Sequence, residues 1–136
     1  MDLRVVLLVY LFATLTSCAT SPVRFEDSTP VSIELRSPDF AKYVTPTPDS
    51  GKVIVIRDSG FTGSAGKADL YLNGMQVARF EVRTSLVLYV PKGSHTFIVA
   101  GQSGSPIQLR VEPGKEHYLR IRVSIAGLAL EQIPPP

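Results

Sequence analysis

The 136-residue sequence contains one cysteine, two histidines and no tryptophan. A lone thiol cannot close an internal disulfide, so no covalent staple is available to the fold. One cysteine and two histidines also make a poor ligand set for a structural zinc centre. Charge of neither sign dominates: 14 Lys and Arg stand against 12 Asp and Glu, for a formal +2. That balance excludes the basic footprint of a nucleic-acid-binding protein. The acidic residues are scattered singly, with Glu112 and Glu116 flanking a turn, so no carboxylate pair suggests glycosidase chemistry. Apolar runs are short, none approaching the roughly 20 residues of a membrane-spanning helix. No helical period recurs after Ser17.

What is present begins at the N-terminus. Val5 to Leu15 (VVLLVYLFATL) is apolar apart from Tyr10 and Thr14, and Arg4 precedes it. As a helix this run would rise about 16 Å, half of a bilayer core, which suits a signal-peptide core and not a span. No polar face makes it an amphipathic core helix. Leu15-Thr16-Ser17-Cys18 closes the run and resembles the bacterial lipobox, an aliphatic residue and two small ones before a cysteine. The resemblance implies cleavage before Cys18, a diacylglyceryl group on its sulfur and, usually, an N-acyl chain. Several acyl chains bury enough methylenes for stable anchoring where one gives marginal binding. The alternative is ordinary secretory cleavage beside an incidental cysteine. Ala19, and not aspartate, follows Cys18, which by the same resemblance implies the outer membrane, facing the periplasm.

Residues 18–50 read as a tether carrying Pro22, Pro30, Pro38, Pro46 and Pro48. Each proline fixes its own φ and biases its predecessor toward extended backbone, so the tether is expected to be stiff and to span tens of ångströms. Val31 to Arg36 alternates cleanly enough to pair as an edge strand, and Asp39 to Val44 carries aromatics that can dock on a domain.

From Gly51 to Ile133 the pattern is strand after strand. Lys52 to Arg57 is β-branched and apolar on both faces, which predicts a central strand. Lys67 to Leu72 turns at Asn73-Gly74, a strong hairpin signal, into Gln76 to Phe80. Ser85 to Val90, His95 to Ala100, Ile107 to Val111 and His117 to Val123 follow, and Ala126 to Ile133 supplies a last edge strand blocked by Pro134 to Pro136. Seven or eight short strands predict an all-β fold, an antiparallel β-sandwich, behind a cleaved N-terminal signal helix.

If Ile107 to Val111 pairs with His117 to Val123, placing Leu109 opposite Leu119 turns both apolar sets inward. Arg110, Tyr118, Arg120 and Arg122 then share one solvent face. That face suits an anionic glycan or phosphate through bidentate guanidinium contacts; the alternative is the polar side of a half-exposed sheet. Phe61, Tyr71, Tyr89 and Tyr118 are candidates for exposed stacking aromatics, or for cross-strand pairs over the core.

Four stretches carry a family resemblance: Gly51 to Arg57, Ser59 to Gly74, Val90 to Phe97 and Val111 to Tyr118. Together they resemble a bacterial lipoprotein domain of unknown function, itself similar to the PEGA repeat, a small surface-layer-associated β-sandwich. The shared features are mainly turns (Asn-Gly, Pro-x-Gly, Glu-Pro-Gly). The resemblance therefore implies architecture and an envelope location, and no catalytic residue.

Enzymatic readings fare poorly. Gly60 to Lys67 has a phosphate-loop flavour, but the first required glycine falls at Phe61 and Ala68 replaces the magnesium-binding Ser or Thr. Its expected role is a sheet crossing or partner contact. His95 and His117 each border a turn without a third ligand or an orienting carboxylate. The expectation is a non-catalytic, lipid-anchored module without cofactor or metal, binding an envelope protein or wall glycan. A structural lipoprotein without a ligand is the alternative, and an enzyme of unrecognised type a distant third.

Overall fold

The structure, a computed structural model, describes residues 22–59, 66–124 and 127–136. The apolar N-terminus, Cys18, Phe61 and most of the Gly60–Lys67 loop lie outside the described residues. Among the described residues nine strands are formed: β1 (Thr29–Pro30), β2 (Ser50–Arg57), β3 (Ala68–Leu72), β4 (Met75–Phe80), β5 (Thr84–Pro91), β6 (Gly93–Val99), β7 (Ile107–Val111), β8 (Glu116–Ser124) and β9 (Gly127–Ile133). They make a five-stranded sheet, ordered β1-β5-β2-β8-β9, and a four-stranded one, β4-β3-β6-β7. The fold is the expected all-β sandwich. Its ladders are antiparallel except β1 with β5 and β2 with β8, which run parallel.

Strand alternation builds the core. Val53, Val55, Leu86, Leu88, Leu119 and Ile121 from one sheet meet Leu70, Leu72, Phe80, Phe97, Val99 and Leu109 from the other. The β3–β4 hairpin turns on Asn73 (φ 50°) and Gly74 (φ 82°), the paired positive angles that match strand twist. Gly51 is required by close approach: a Cβ there would meet Val111 Cγ1 at 2.5 Å and the Glu112 carbonyl oxygen at 2.6 Å.

The expected pairing of β7 with β8 does not form. Leu109 lies opposite His95 on β6, while Leu119 lies beside Val55 on β2 and opposite Gln132 on β9. The turn between β7 and β8 crosses from one sheet to the other. Its backbone is captured by β2, with the Gly114 N–H donating to Ser50 O (3.1 Å) and the Lys52 N–H donating to Lys115 O (2.9 Å). Alternation puts Leu109 and Leu119 inside under either arrangement, because strands facing each other across a core bury the same residues as strands paired side by side.

The stretch expected to be a tether also behaves differently. From Val23 onward it wraps the sandwich. Val23 is 4% exposed and, with Phe25, covers the outer face of the five-stranded sheet over Ile54, Ile56 and Tyr118. β1 then pairs with β5, a sheet edge where a proline is tolerated. Val31, 1% exposed, drops into the main core. In place of a strand over Val31 to Arg36, the chain forms a 3₁₀ turn at Ile33–Leu35 and meets β4 through Arg36, bridged to Ala78, and through the Ser37 N–H, which donates to the Val77 carbonyl at 3.0 Å. A second 3₁₀ turn, Pro38–Tyr43, docks Phe40 and Tyr43 against the core. The reason is burial. Central β2 is apolar on both faces, so its outward Ile54 and Ile56 need a cover, and fully burying each such side chain stabilises the fold by about 1.5–3 kcal/mol.

Candidate functional site

The four residues expected to form one basic face are divided between two sheets. Arg110 lies on β7 opposite Ser94, on the outer face of the four-stranded sheet. Tyr118, Arg120 and Arg122 lie on β8, on the outer face of the five-stranded sheet. With no β7–β8 ladder, Arg110 has no cross-strand relation to the other three.

On the five-stranded sheet the face is largely committed to internal contacts. Tyr118 is 7% exposed within the apolar cluster under the N-terminal segment, and its hydroxyl donates to Glu116 Oε2 at 2.9 Å. Burial and the neighbouring Glu116 both raise the phenol pKa. Arg120 Nη1 lies 3.5 Å from Asp58 Oδ1, a carboxylate whose side chain is only 1% exposed. The same Oδ1 accepts the Val23 N–H at 3.2 Å, and Arg120 Nη2 donates to the Val23 carbonyl at 3.4 Å. Asp58 and Arg120 therefore clasp the peptide groups of Val23 from both sides. Burial raises the Asp58 pKa, opposed by the Val23 N–H and then by Arg120 and Arg122. Arg122 is more exposed and pairs with Glu131 across to β9 at 3.3 Å. Beside the clasp is a cleft of 400 Å³, lined by Arg24, Phe25, Glu26, Tyr118, Arg120 and Ile133 among others. A larger groove of 610 Å³ runs between the N-terminal segment and the second 3₁₀ turn, past Ser28, Arg36, Phe40 and Tyr89. The Arg36 guanidinium lies 5.1 Å from the Phe40 ring centroid, a cation–π arrangement.

Among the described residues the opposite face is bare and polar. Arg79 Nε donates to Asp69 Oδ1 at 2.8 Å, Gln76 Nε2 donates to the same oxygen at 3.3 Å, and Thr96 Oγ1 donates to Gln108 Oε1 at 3.0 Å. Tyr71 pairs with Ile98 at its centre, both half-buried, and Arg110 is exposed at the β7 edge.

Both histidines serve turns. The Thr96 N–H donates to Asn73 Oδ1 (2.9 Å), which orients the amide so that Nδ2 donates to His95 Nδ1 (2.9 Å). His95 Nε2–H then donates to the Pro91 carbonyl (2.7 Å), tying the β3–β4 hairpin to the end of β5. His117 Nε2 accepts the Glu112 N–H at 3.3 Å, across the sheet-crossing turn. Burial lowers the His117 pKa, outweighing the pull of Glu112, in keeping with a neutral acceptor ring. Among the described residues no three His, Cys, Asp or Glu side chains gather as metal ligands, and no helix is long and apolar enough to cross a membrane.

Two charged residues escaped sequence reasoning. Arg57 is among the largest fully buried side chains; its Nη1 donates to the Phe80 carbonyl at 2.5 Å, linking β2 to β4 across the sandwich. Burial lowers its pKa. Asp58 follows it directly. A signal was present in the doubly apolar β2, whose outer face demanded a covering segment and a means to hold it.

The fold and its faces define a two-sheet β-sandwich with an N-terminal strap. Comparison with protein-family models, with curated proteins and with solved structures finds no match to this chain.

Proposed function

We propose that this chain is a lipid-anchored envelope module, held by diacylglyceryl-Cys18 in the outer membrane, whose domain binds an envelope protein or an anionic wall glycan without catalysis. The observation that carries the reading is continuity. The segment led by Leu15-Thr-Ser-Cys18 runs within five residues into a strap clasped by Asp58 and Arg120, so the domain follows the attachment point closely in sequence. The resemblance to PEGA-like lipoprotein domains supports the same location. Binding falls to the bare face around Tyr71, Thr96, Gln108 and Arg110, where a polar surface flanks the half-buried Tyr71–Ile98 pair. Anchoring raises the local concentration of any membrane-bound or wall-bound partner, so weak contacts suffice.

A structural lipoprotein without a ligand is the second reading. It is favoured by the self-pairing of Asp69 with Arg79 and Thr96 with Gln108, which satisfies groups otherwise free for a partner. In-cell cross-linking with mass spectrometry separates the two, with Cys18→Ala as the unanchored control. A reproducible adduct on the bare face, lost or weakened in Cys18→Ala, is the expected result. Recovery indistinguishable from an unrelated lipoprotein would leave the structural reading standing.

A further inference from the structure

We propose that the outer face of the five-stranded sheet, around Val23 and Arg24, is apposed to the membrane, its partner being the lipid headgroup surface in which Cys18 is anchored. This rests on the lipoprotein reading above and adds an orientation to it. The expectation of a long stiff tether put the domain tens of ångströms from the bilayer. The clasp on Val23 removes most of that tether. Between Cys18 and Val23 there remain five Cα-to-Cα steps, which fully extended span at most about 18 Å. Of that reach, about 5–8 Å is consumed in passing through the headgroup layer. Some 10–13 Å is left between the bilayer surface and a point fixed on the sheet.

The thickness of the body then selects the face. Stacked sheets lie about 10 Å apart, and an outward layer of side chains on each places the two outer faces about 20 Å from one another. A leash that short cannot carry the chain around a sheet edge to lay the Tyr71 and Arg110 face on the bilayer. Val23 cannot simply peel away to lengthen it. Its side chain is 4% exposed, its N–H is held by Asp58 and its carbonyl by Arg120. Further along, β1 is laddered to β5 and Val31 is locked in the core. The charges beside the exit are mixed, with Arg24 beside Glu26 and Arg122 paired to Glu131, so apposition follows from leash length and not from attraction to anionic lipid.

The lone cysteine makes the test clean, because lipidation blocks the Cys18 thiol and leaves one introduced cysteine to label. Arg24→Cys marks the near face and Gln108→Cys the far face, both at exposed positions. Each lipidated protein is reconstituted in phosphatidylethanolamine–phosphatidylglycerol vesicles containing a lipid with a nitroxide headgroup, and quenching of a small fluorophore is read. The expected result is quenching at Arg24→Cys several-fold stronger than at Gln108→Cys. Insertion of about a dozen Gly/Ser residues after Ala19 is expected to bring the two toward equality by freeing the domain to tumble. Equal quenching at native leash length on a protein whose N-terminal peptide carries the diacylglyceryl mass overturns the orientation alone. Absence of that mass from Cys18 overturns the lipoprotein reading, and the orientation with it.

Discussion

The two outer faces of the sandwich enclose one shared core, yet they end in opposite states. On the five-stranded sheet, outward Ile54, Ile56 and Tyr118 are buried beneath Val23 and Phe25, and a carboxylate is held out of water by an arginine and a peptide group. On the four-stranded sheet, outward Asp69, Thr96, Gln108 and Arg110 meet solvent, and the ion pair there is an exposed one. The difference shows that a strand apolar on both faces calls for a third layer. Here the layer comes from residues which, by composition, look like linker.

The comparison can be broken most forcefully at the covered apolar layer. Ile54→Ala empties a site 1% exposed and is expected to cost about 3 kcal/mol, whereas Ile98→Ala, half-exposed at an outward position of the other sheet, costs about 1 kcal/mol. Urea unfolding of the Cys18→Ala chain with either change measures both. Similar losses at the two positions would mean that the strap does not cover β2 in solution.

Next in size is the contrast between the two ion pairs. Arg120→Ala leaves Asp58 buried with the Val23 N–H and the charge of Arg122 as compensation, and about 2 kcal/mol of stability is expected to go with it. Arg79→Ala removes a pair whose arginine is half exposed, and the change is expected within about 0.5 kcal/mol. Limited proteolysis between residues 22 and 31 should accelerate only in the Arg120 variant.

The smallest effect is a pH dependence. The folded-state pKa of Asp58 is raised, so the native state binds this proton more tightly than the unfolded chain. Its contribution is fully present below the ordinary aspartate value and is lost as pH rises through the raised value. The difference in melting temperature between the parent protein and Asp58→Asn should therefore move in favour of the parent as pH is lowered through that window.

Much of this architecture was legible from residue order. Alternation assigned Leu109 and Leu119 to the interior, and Asn73-Gly74 marked the hairpin. The doubly apolar Lys52 to Arg57 marked the centre of a sheet. Alternation specifies which way a side chain faces but not which strand lies beside it, and that is why Arg110 and Tyr118 were expected together and lie on different sheets. The strap was hidden for another reason. Prolines at 22, 30 and 38 advertise extended, unpaired backbone, and only the long-range contacts of Val23 and Val31 reveal that such backbone is seated. The doubly apolar β2 signalled that a cover was needed but not that Asp58 would hold it, since a single aspartate after a strand looks like any turn residue.

The clasp also sets an order of events. Val23 and Arg120 are 97 positions apart, and central β2 takes one of its two neighbours from β8, some sixty residues further along the chain. Val23 is thus made long before Arg120 and finds its place late, waiting for a surface that does not exist until β8 has been released. Contacts so distant close slowly, because the entropy of the intervening loop must be lost before any of them forms. Until then Ile54 and Ile56 stand uncovered, so the interval before β8 arrives is when this chain is most exposed to aggregation and most in need of a chaperone.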